Sequence, residues 1–282
     1  TVTVQASLRN YGERNHEALR VIFHADGKPV DEQQIPLGAG ERRQVRFRHS
    51  FDTPGSHVIE VATDADSLKA DNIFRASIPV WDKVPVLVIN GAPDTEPLKG
   101  ETDFLQIALQ PYREGGEPDL VDLLESRIIN VADFNAAAIG DTRVVVLANV
   151  SQLQRSQLNE LQTFVKDGGG LMIFGGDQLD QRWYNEQLLP YGLLPARLGE
   201  VADKRNDPEP FTRMVVQRFD HPALKIFSNP RNGDLASAEV RQWHRTVEDP
   251  DNELVRPLAR LETGDAFLIE KIYGNGRVLF CA

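Results

Sequence analysis

Two aspartates, Asp94 and Asp177, stand just beyond apolar runs of the kind that form buried strands, and Asn149 stands just beyond a third. Carboxylates brought together at strand ends can move a proton on a substrate or hold a cation. The same residue types also serve as turn formers and helix caps, which is their plainer use. Gly176 directly precedes Asp177, and Trp183 and Tyr184 follow soon after, where aromatic rings could border a depression. Asp94, Asn149, Gly176, Asp177, Trp183 and Tyr184 are therefore the candidate binding set. Paired carboxylates repel anions, so a cation, a sugar or a basic peptide suits them better than a phosphate.

Other constellations are weaker. Asp64, Asp66 and Asp71, with Thr63, Ser67 and Asn72, gather enough side-chain oxygen for calcium. They lack the glycine and distal glutamate of an EF-hand loop, and a polar turn built on Asx motifs is the better reading. A single cysteine, Cys281, can form neither an internal disulfide nor a cysteine-based zinc site, and reads as a core thiol. The histidines His16, His24, His49 and His57 form no i, i+4 pair. No Gly-X-Gly-X-X-Gly or Walker motif follows the first apolar run, so no nucleotide or other cofactor is implied.

The elements that must carry these residues come in two textures. Up to about residue 82, apolar and polar residues alternate, as in Val2, Val4, Ala6 and Leu8, and turn signals such as Asp26-Gly27 punctuate short strands. Strands at roughly 8–12-residue spacing specify an antiparallel β-sandwich. From residue 83 to 282 the texture is α/β. Val84–Ile89, Arg143–Ala148 and Leu171–Phe174 are continuous apolar runs, as in strands buried on both faces. Between them a helix opens at Thr102-Asp103, and another, capped by Ser151, carries Leu158, Leu161 and Val165 before Gly168-Gly169-Gly170. The stretch from Leu120 to Val131 is open between helix and strand, with Ile128-Ile129 favouring a strand. This alternation specifies a doubly wound sheet, whose ligands sit at the carboxyl ends of the strands. After Asp177 the chain reads as irregular through Pro210 and then turns β again to its end.

Hydrophobic residues make up 41% and charged residues 26% of the 282, the balance of a packed protein. A net charge of −11 argues against nucleic acid as a partner. The cluster Arg42, Arg43, Arg46 and Arg48 reads as a solvated sheet face. No run approaches the roughly 20 apolar residues of a membrane span. The chain opens inside an alternating pattern and stops inside an apolar run, which predicts a segment of a larger protein.

The run Asp71-Asn72-Ile73-Phe74-Arg75, continuing through Ile78-Pro79-Val80 into Val86–Ile89, resembles a junction in large bacterial membrane proteins similar to the aerotolerance regulators. Those proteins join a membrane-anchored region, a von Willebrand factor A-like domain, an immunoglobulin-like domain and a glutamine-amidotransferase-like domain. The stretch from Leu161 to Gly176, with Lys166-Asp167-Gly168-Gly169-Gly170 and Ile173-Phe174-Gly175-Gly176, resembles the approach to the nucleophile in class I glutamine amidotransferases. The resemblance implies an Ig-like sandwich over 1–82. It implies a flavodoxin-like, amidotransferase-like domain over 83–282, truncated at its C-terminus. It further implies an extracytoplasmic (periplasmic) location, the parent protein's other domains as partners, and contact with the membrane only through flanking segments.

This sequence departs from that family at the residue that matters most. Phe174 occupies the position of the nucleophilic cysteine and carries no nucleophilic atom. No Gly-X-Ser-X-Gly elbow replaces it, and no histidine stands at a recognisable partner position. No catalytic residue is therefore assigned, and the expected role is non-catalytic binding or scaffolding. Two alternatives stay open. One is a hydrolase or lyase working through an Asp94–Asp177 pair, and the other is a sugar- or metabolite-binding module in an aromatic-lined cleft; a protein or sugar ligand is the partner expected beyond the parent protein.

Overall fold

Half-buried and exposed side chains alternate along the first strand, β1 (Val2–Arg9), because a pleated strand sends successive side chains to opposite faces. The computed structural model describes residues 2–65, 68, 70–96, 98–113 and 121–282. The chain divides into two units, Thr1–Asp82 and Lys83–Ala282.

In the first unit, β1 is followed by β2 (His16–Ala25), β3 (Lys28–Leu37), β4 (Arg42–His49), β5 (Gly55–Thr63) and β6 (Ile73–Val80). β1 pairs antiparallel with β4, and the other strands form an antiparallel sheet in the order β3-β2-β5-β6. One core joins the two sheets. Leu19, Val21 and Phe23 of β2 meet Val45 and Phe47 of β4, with the rings of Phe23 and Phe47 stacked at 5.3 Å. The β2–β3 turn places both Asp26 (φ 49°) and Gly27 (φ 76°) in the left-handed region, as a tight hairpin of this twist requires. Asp26 then reaches across to β5. Its carboxylate accepts from the Val58 amide at 2.9 Å and from His57 Nδ1 at 2.7 Å. His57 Nε2 faces the Thr53 carbonyl at 2.8 Å, so both ring nitrogens donate and the ring is held as an imidazolium.

The second unit begins with β7 (Val84–Asn90), α1 (Asp103–Leu109), β8 (Leu124–Asn130), α2 (Ala136–Ile139), β9 (Val144–Ala148), α3 (Arg155–Lys166) and β10 (Gly170–Phe174). A short α4 (Gln181–Trp183) runs into a π-helical turn, Tyr184–Leu188. The remaining strands are β11 (Arg197–Asp203), β12 (Thr212–Val215), β13 (Glu239–Val240), β14 (Gln242–Val247), β15 (Val255–Leu261), β16 (Ala266–Tyr273) and β17 (Gly276–Cys281).

All but two of these strands belong to one sheet, ordered β13-β12-β15-β16-β17-β10-β9-β7-β8. The stretch from β8 to β17 is parallel, and the stretch from β17 outward is antiparallel. The open stretch after Leu120 resolves as a strand where it is described, from Leu124. The last strand crosses back to lie parallel to β10, so β12, β13, β15, β16 and β17 extend this sheet, while β14 pairs with β11 in a separate two-stranded one.

Two expectations need correction. The stretch read as irregular after Asp177 contains β11, which pairs with β14 in a bulged ribbon. Only Leu198 of that strand is buried, so it shows neither the alternation nor the continuous apolar run that marks a strand in sequence. Ser151 does not cap α3. The helix starts at Arg155 with Gln154 as its N-cap, and the Gln157 side chain accepts from the Gln154 amide at 2.8 Å.

The continuous apolar runs are explained by burial on both faces. Val86, Val88, Val146 and Ala148 pack toward Leu105 and Leu109 of α1. Their sequence neighbours Leu87, Ile89, Val145 and Leu147 face Leu158, Leu161 and Val165 of α3. α3 ends in the glycine run, with Gly168 at φ 116°, and the chain turns directly into β10.

Candidate functional site

The carboxyl ends of β7, β9 and β10 converge on Asn149. This residue is 1% exposed and holds a left-handed backbone (φ 50°), a conformation asparagine tolerates better than most residues. The neighbouring glycines exist to let the chain come this close. A Cβ on Gly91, at the exit of β7, would fall 2.0 Å from the Asn149 carbonyl oxygen and 2.5 Å from Val150 Cα. A Cβ on Gly176, at the exit of β10, would fall 2.3 Å from Asn149 Oδ1.

The Asn149 amide ties these exits to α1. Nδ2 donates to Glu101 Oε1 at 3.0 Å and to Asp177 Oδ1 at 2.9 Å, while Oδ1 accepts from the Gln178 amide at 2.9 Å. Both N–H groups of a carboxamide are thereby used. Glu101 and Asp177 accept from one nitrogen, so their carboxylates sit side by side, and both residues are exposed. The hydrogen bond from Asn149 holds the Asp177 carboxyl below its ordinary range against the opposing effect of desolvation, with Gln178 assisting. Nearby, Asn90 donates to the buried Thr102 hydroxyl at 3.1 Å, which fixes the loop that delivers Glu101.

Among the candidates read from the sequence, Asn149, Gly176 and Asp177 meet here. Asp94 takes no part in this network. It is exposed and accepts from the Glu96 amide at 2.8 Å, a local Asx turn. Trp183 is half-buried and lies edge-on to Tyr184, with ring centroids 5.3 Å apart. Tyr184 is fully buried, and its hydroxyl donates to the Val150 carbonyl at 2.8 Å. It supports the turn after Asn149 from within the core, and burial raises its phenol pKa. Asp64 and Asp71 lie exposed in their loop, and Asp66 lies outside the described residues. Among the described residues no three His, Cys, Asp or Glu side chains gather in a metal-holding group.

Two residues at this crest escaped sequence reasoning. Glu101 reads as one more acid at a helix start. His244 lies far along the chain on β14, yet its Nε2 is 3.3 Å from the Gly176 carbonyl. Its Cδ2 is 3.4 Å from where a Cβ on Gly175 would stand. The elbow thus has a histidine beside it, contrary to expectation, and β11–β14 pairing is what brings it there. The ring is 6% exposed and its Nδ1 is buried without a partner. Phe174 packs with Val86, Val88, Val146 and Ala148 on the α1 side of the sheet. The Cys281 backbone carbonyl accepts from the Gly175 amide at 2.8 Å, but burial pushes its thiol up to about 11, so the sulfur stays protonated.

Residues 1–72 match the CARDB family model, and the N-terminal unit carries this Ig-like domain. No curated protein sequence matches the chain. The chain is similar in fold to cytoplasmic protein STM1381 from Salmonella typhimurium LT2, with 14% identity and a TM-score of 0.52 over 71% of this chain and 87% of that one. It is likewise similar to cytoplasmic protein STM3548 from Salmonella typhimurium, with 12% identity and a TM-score of 0.50 over 70% and 86%. A putative ThuA-like protein from Bacteroides uniformis shares 12% identity at a TM-score of 0.48, over 71% and 80%. Among the described residues no helix is long and apolar enough to cross a membrane.

Proposed function

We propose that this chain is a non-catalytic binding or scaffolding segment of a larger, membrane-anchored bacterial protein. Its second unit is a flavodoxin-like, amidotransferase-like domain without a nucleophile. The parallel strands support that class, because β8-β7-β9-β10-β17 is the order 2-1-3-4-5. The extracytoplasmic location, the parent protein's other domains as partners and anchorage through flanking segments follow from the resemblance at the junction of the units.

The observation that carries the binding role is the Asn149 amide. It sets two exposed carboxylates, Glu101 and Asp177, side by side at the strand ends where such sheets take ligands. A guanidinium or ammonium group, as on a basic peptide, is the complement of that pair. A sugar could use the same acceptors, but the only aromatic rings proposed for stacking, Trp183 and Tyr184, pack into the core.

His244 beside the carboxylates favours a second reading, a hydrolase with Glu101–Asp177 in place of Asp94–Asp177. Against it, an acid catalyst needs a raised carboxyl pKa, and Asp177 is moved the other way. Amide and ester hydrolysis assays separate the two. The wild type and Phe174→Cys should both show no turnover above a heat-killed control. The side chain at 174 faces α1, whereas His244 adjoins Gly175. Turnover that falls in His244→Ala or Glu101→Gln would establish the hydrolase instead.

A further inference from the structure

A cavity of about 210 Å³ opens against β12 and β15 and shares no lining residue with the crest. Its floor is apolar, with Leu224, Leu258 and Ala259 buried beneath it. Its polar lining is mostly cationic: Arg218, Arg256 and Arg260, joined by Gln217 and His221. Among the described residues no carboxylate lines it. In a chain of net charge −11, such a concentration of guanidinium makes a local positive field where the surroundings are negative.

The arginines differ in what holds them. Arg260 is clamped, with Nη1 and Nη2 donating to Glu248 at 2.9 and 2.8 Å. Arg256 donates one N–H, from Nη2 to Asp220 at 2.7 Å. Arg218 meets Asp220 through charge alone. A guanidinium offers five N–H donors in a rigid fork, so Arg218 keeps a whole fork and Arg256 most of one.

His221 contributes a wall. The Ala223 amide donates to its Nδ1 at 3.2 Å, which leaves the ring proton on Nε2, directed at Glu270 at 3.1 Å. Glu270 also accepts from Arg277 at 2.5 Å. Burial alone would raise the Glu270 carboxyl, but the bonds from Arg277 and His221 outweigh it and keep it below the ordinary range. That carboxylate is matched within its own cluster; the cavity's three arginines are answered by two carboxylates, Asp220 and Glu248, which leaves a net positive charge.

We infer that this cavity is a binding site for a small organic anion, whose oxyanion head lies between Arg218 and Arg256 and whose carbon skeleton rests on Leu224, Pro257 and Leu258. It is independent of the crest and of the role proposed for it. A carboxylate and a phosphate monoester share the chemistry that the two forks recognise.

The test is a titration of the isotope-labelled 282-residue chain with butyrate, butyl phosphate, inorganic phosphate and butyramide, followed by NMR. Butyrate or butyl phosphate should shift signals of residues lining the cavity, and the tighter of the two identifies the head group. Inorganic phosphate should bind more weakly for want of a skeleton, and butyramide not at all. Arg218→Ala, at an exposed position, should weaken binding about tenfold, the loss of one charge-assisted contact. Arg182→Ala, outside the cavity, should leave it unchanged. Butyramide binding as tightly as butyrate, an Arg218→Ala variant indistinguishable from wild type, or no shift with any of the four probes would overturn the assignment.

Discussion

In each unit a polar side chain fastens strand ends or turns together, and the two do it by different chemistry. In the second unit a neutral amide, Asn149, joins Glu101, Asp177 and the Gln178 backbone. In the first unit an imidazolium, His57, joins Asp26 and the Thr53 carbonyl. The amide fastens carboxylates without neutralising them, so the crest keeps its negative charge. The imidazolium cancels the charge it fastens, so the β2–β5 contact is a purely structural one. A neutral clasp under exposed carboxylates is what distinguishes a surface able to receive a cation from one that has already bound its own.

The largest effect is expected where backbone meets backbone at the amide clasp. Gly91→Ala places a methyl group 2.0 Å from the Asn149 carbonyl oxygen, with only main chain to move out of the way. A loss of about 3 kcal/mol is expected in denaturant unfolding of the second unit, in the upper range of overpacking. A loss below about 0.5 kcal/mol, within surface-substitution scatter, would show that the three strand exits are not locked together.

Next comes the clasp itself. Asn149→Ala removes a donor to each carboxylate and an acceptor for Gln178, and puts alanine at positive φ, for about 2 kcal/mol. Asn149→Gly should be milder because glycine accepts that backbone. Asn149→Asp sets a third carboxylate against Glu101 and Asp177, so its deficit should grow as pH rises from acid to neutral. Equal deficits for Asp and Ala at neutral pH would mean that the two carboxylates are not held against this side chain.

How much of this was legible in the sequence depends on whether the signal was local. Continuous apolar runs at Val84–Ile89 and Arg143–Ala148 announce strands buried on both faces, and the alternation at Val2–Leu8 announces a half-buried one. Asn149, Gly176 and Asp177 were legible because strand ends are where doubly wound sheets present polar groups. Glu101 and His244 were not, because each reaches the crest by tertiary pairing: Glu101 on the loop before α1, His244 through the β11–β14 ribbon. Asp94 illustrates the converse. An aspartate after a strand end can simply close its own turn, and sequence alone does not separate that use from a shared site. Tyr184 reads as a rim residue because it falls in the irregular region after the third strand, but its π-helical turn directs the ring inward.

The smallest effect concerns the imidazolium clasp, and pH defines it. The hydrogen bond to Asp26 raises the His57 pKa, so its contribution is complete below the ordinary value of 6.5 and fades as pH rises through the folded-state value. The hydrogen bond from His57 lowers the Asp26 pKa, so its contribution is complete above 3.8 and fades as pH falls through the folded-state value. The melting-temperature advantage of wild type over His57→Gln should therefore be greatest between pH 3.8 and 6.5 and shrink on either side. An advantage that is flat across that range and beyond would mean that the pair contributes packing and no charge.

The central claim is that the crest receives a cation on Glu101 and Asp177 and performs no chemistry on it. The most direct measurement is an NMR titration of the full chain with N-acetyl-arginine amide, read at the side-chain amide of Asn149, which touches both carboxylates. Saturable shifts of that signal are expected, with affinity about tenfold weaker in Glu101→Gln/Asp177→Asn and further reduced by salt. An Asn149 signal that does not move in the wild type, or moves equally in the double variant, would contradict the claim.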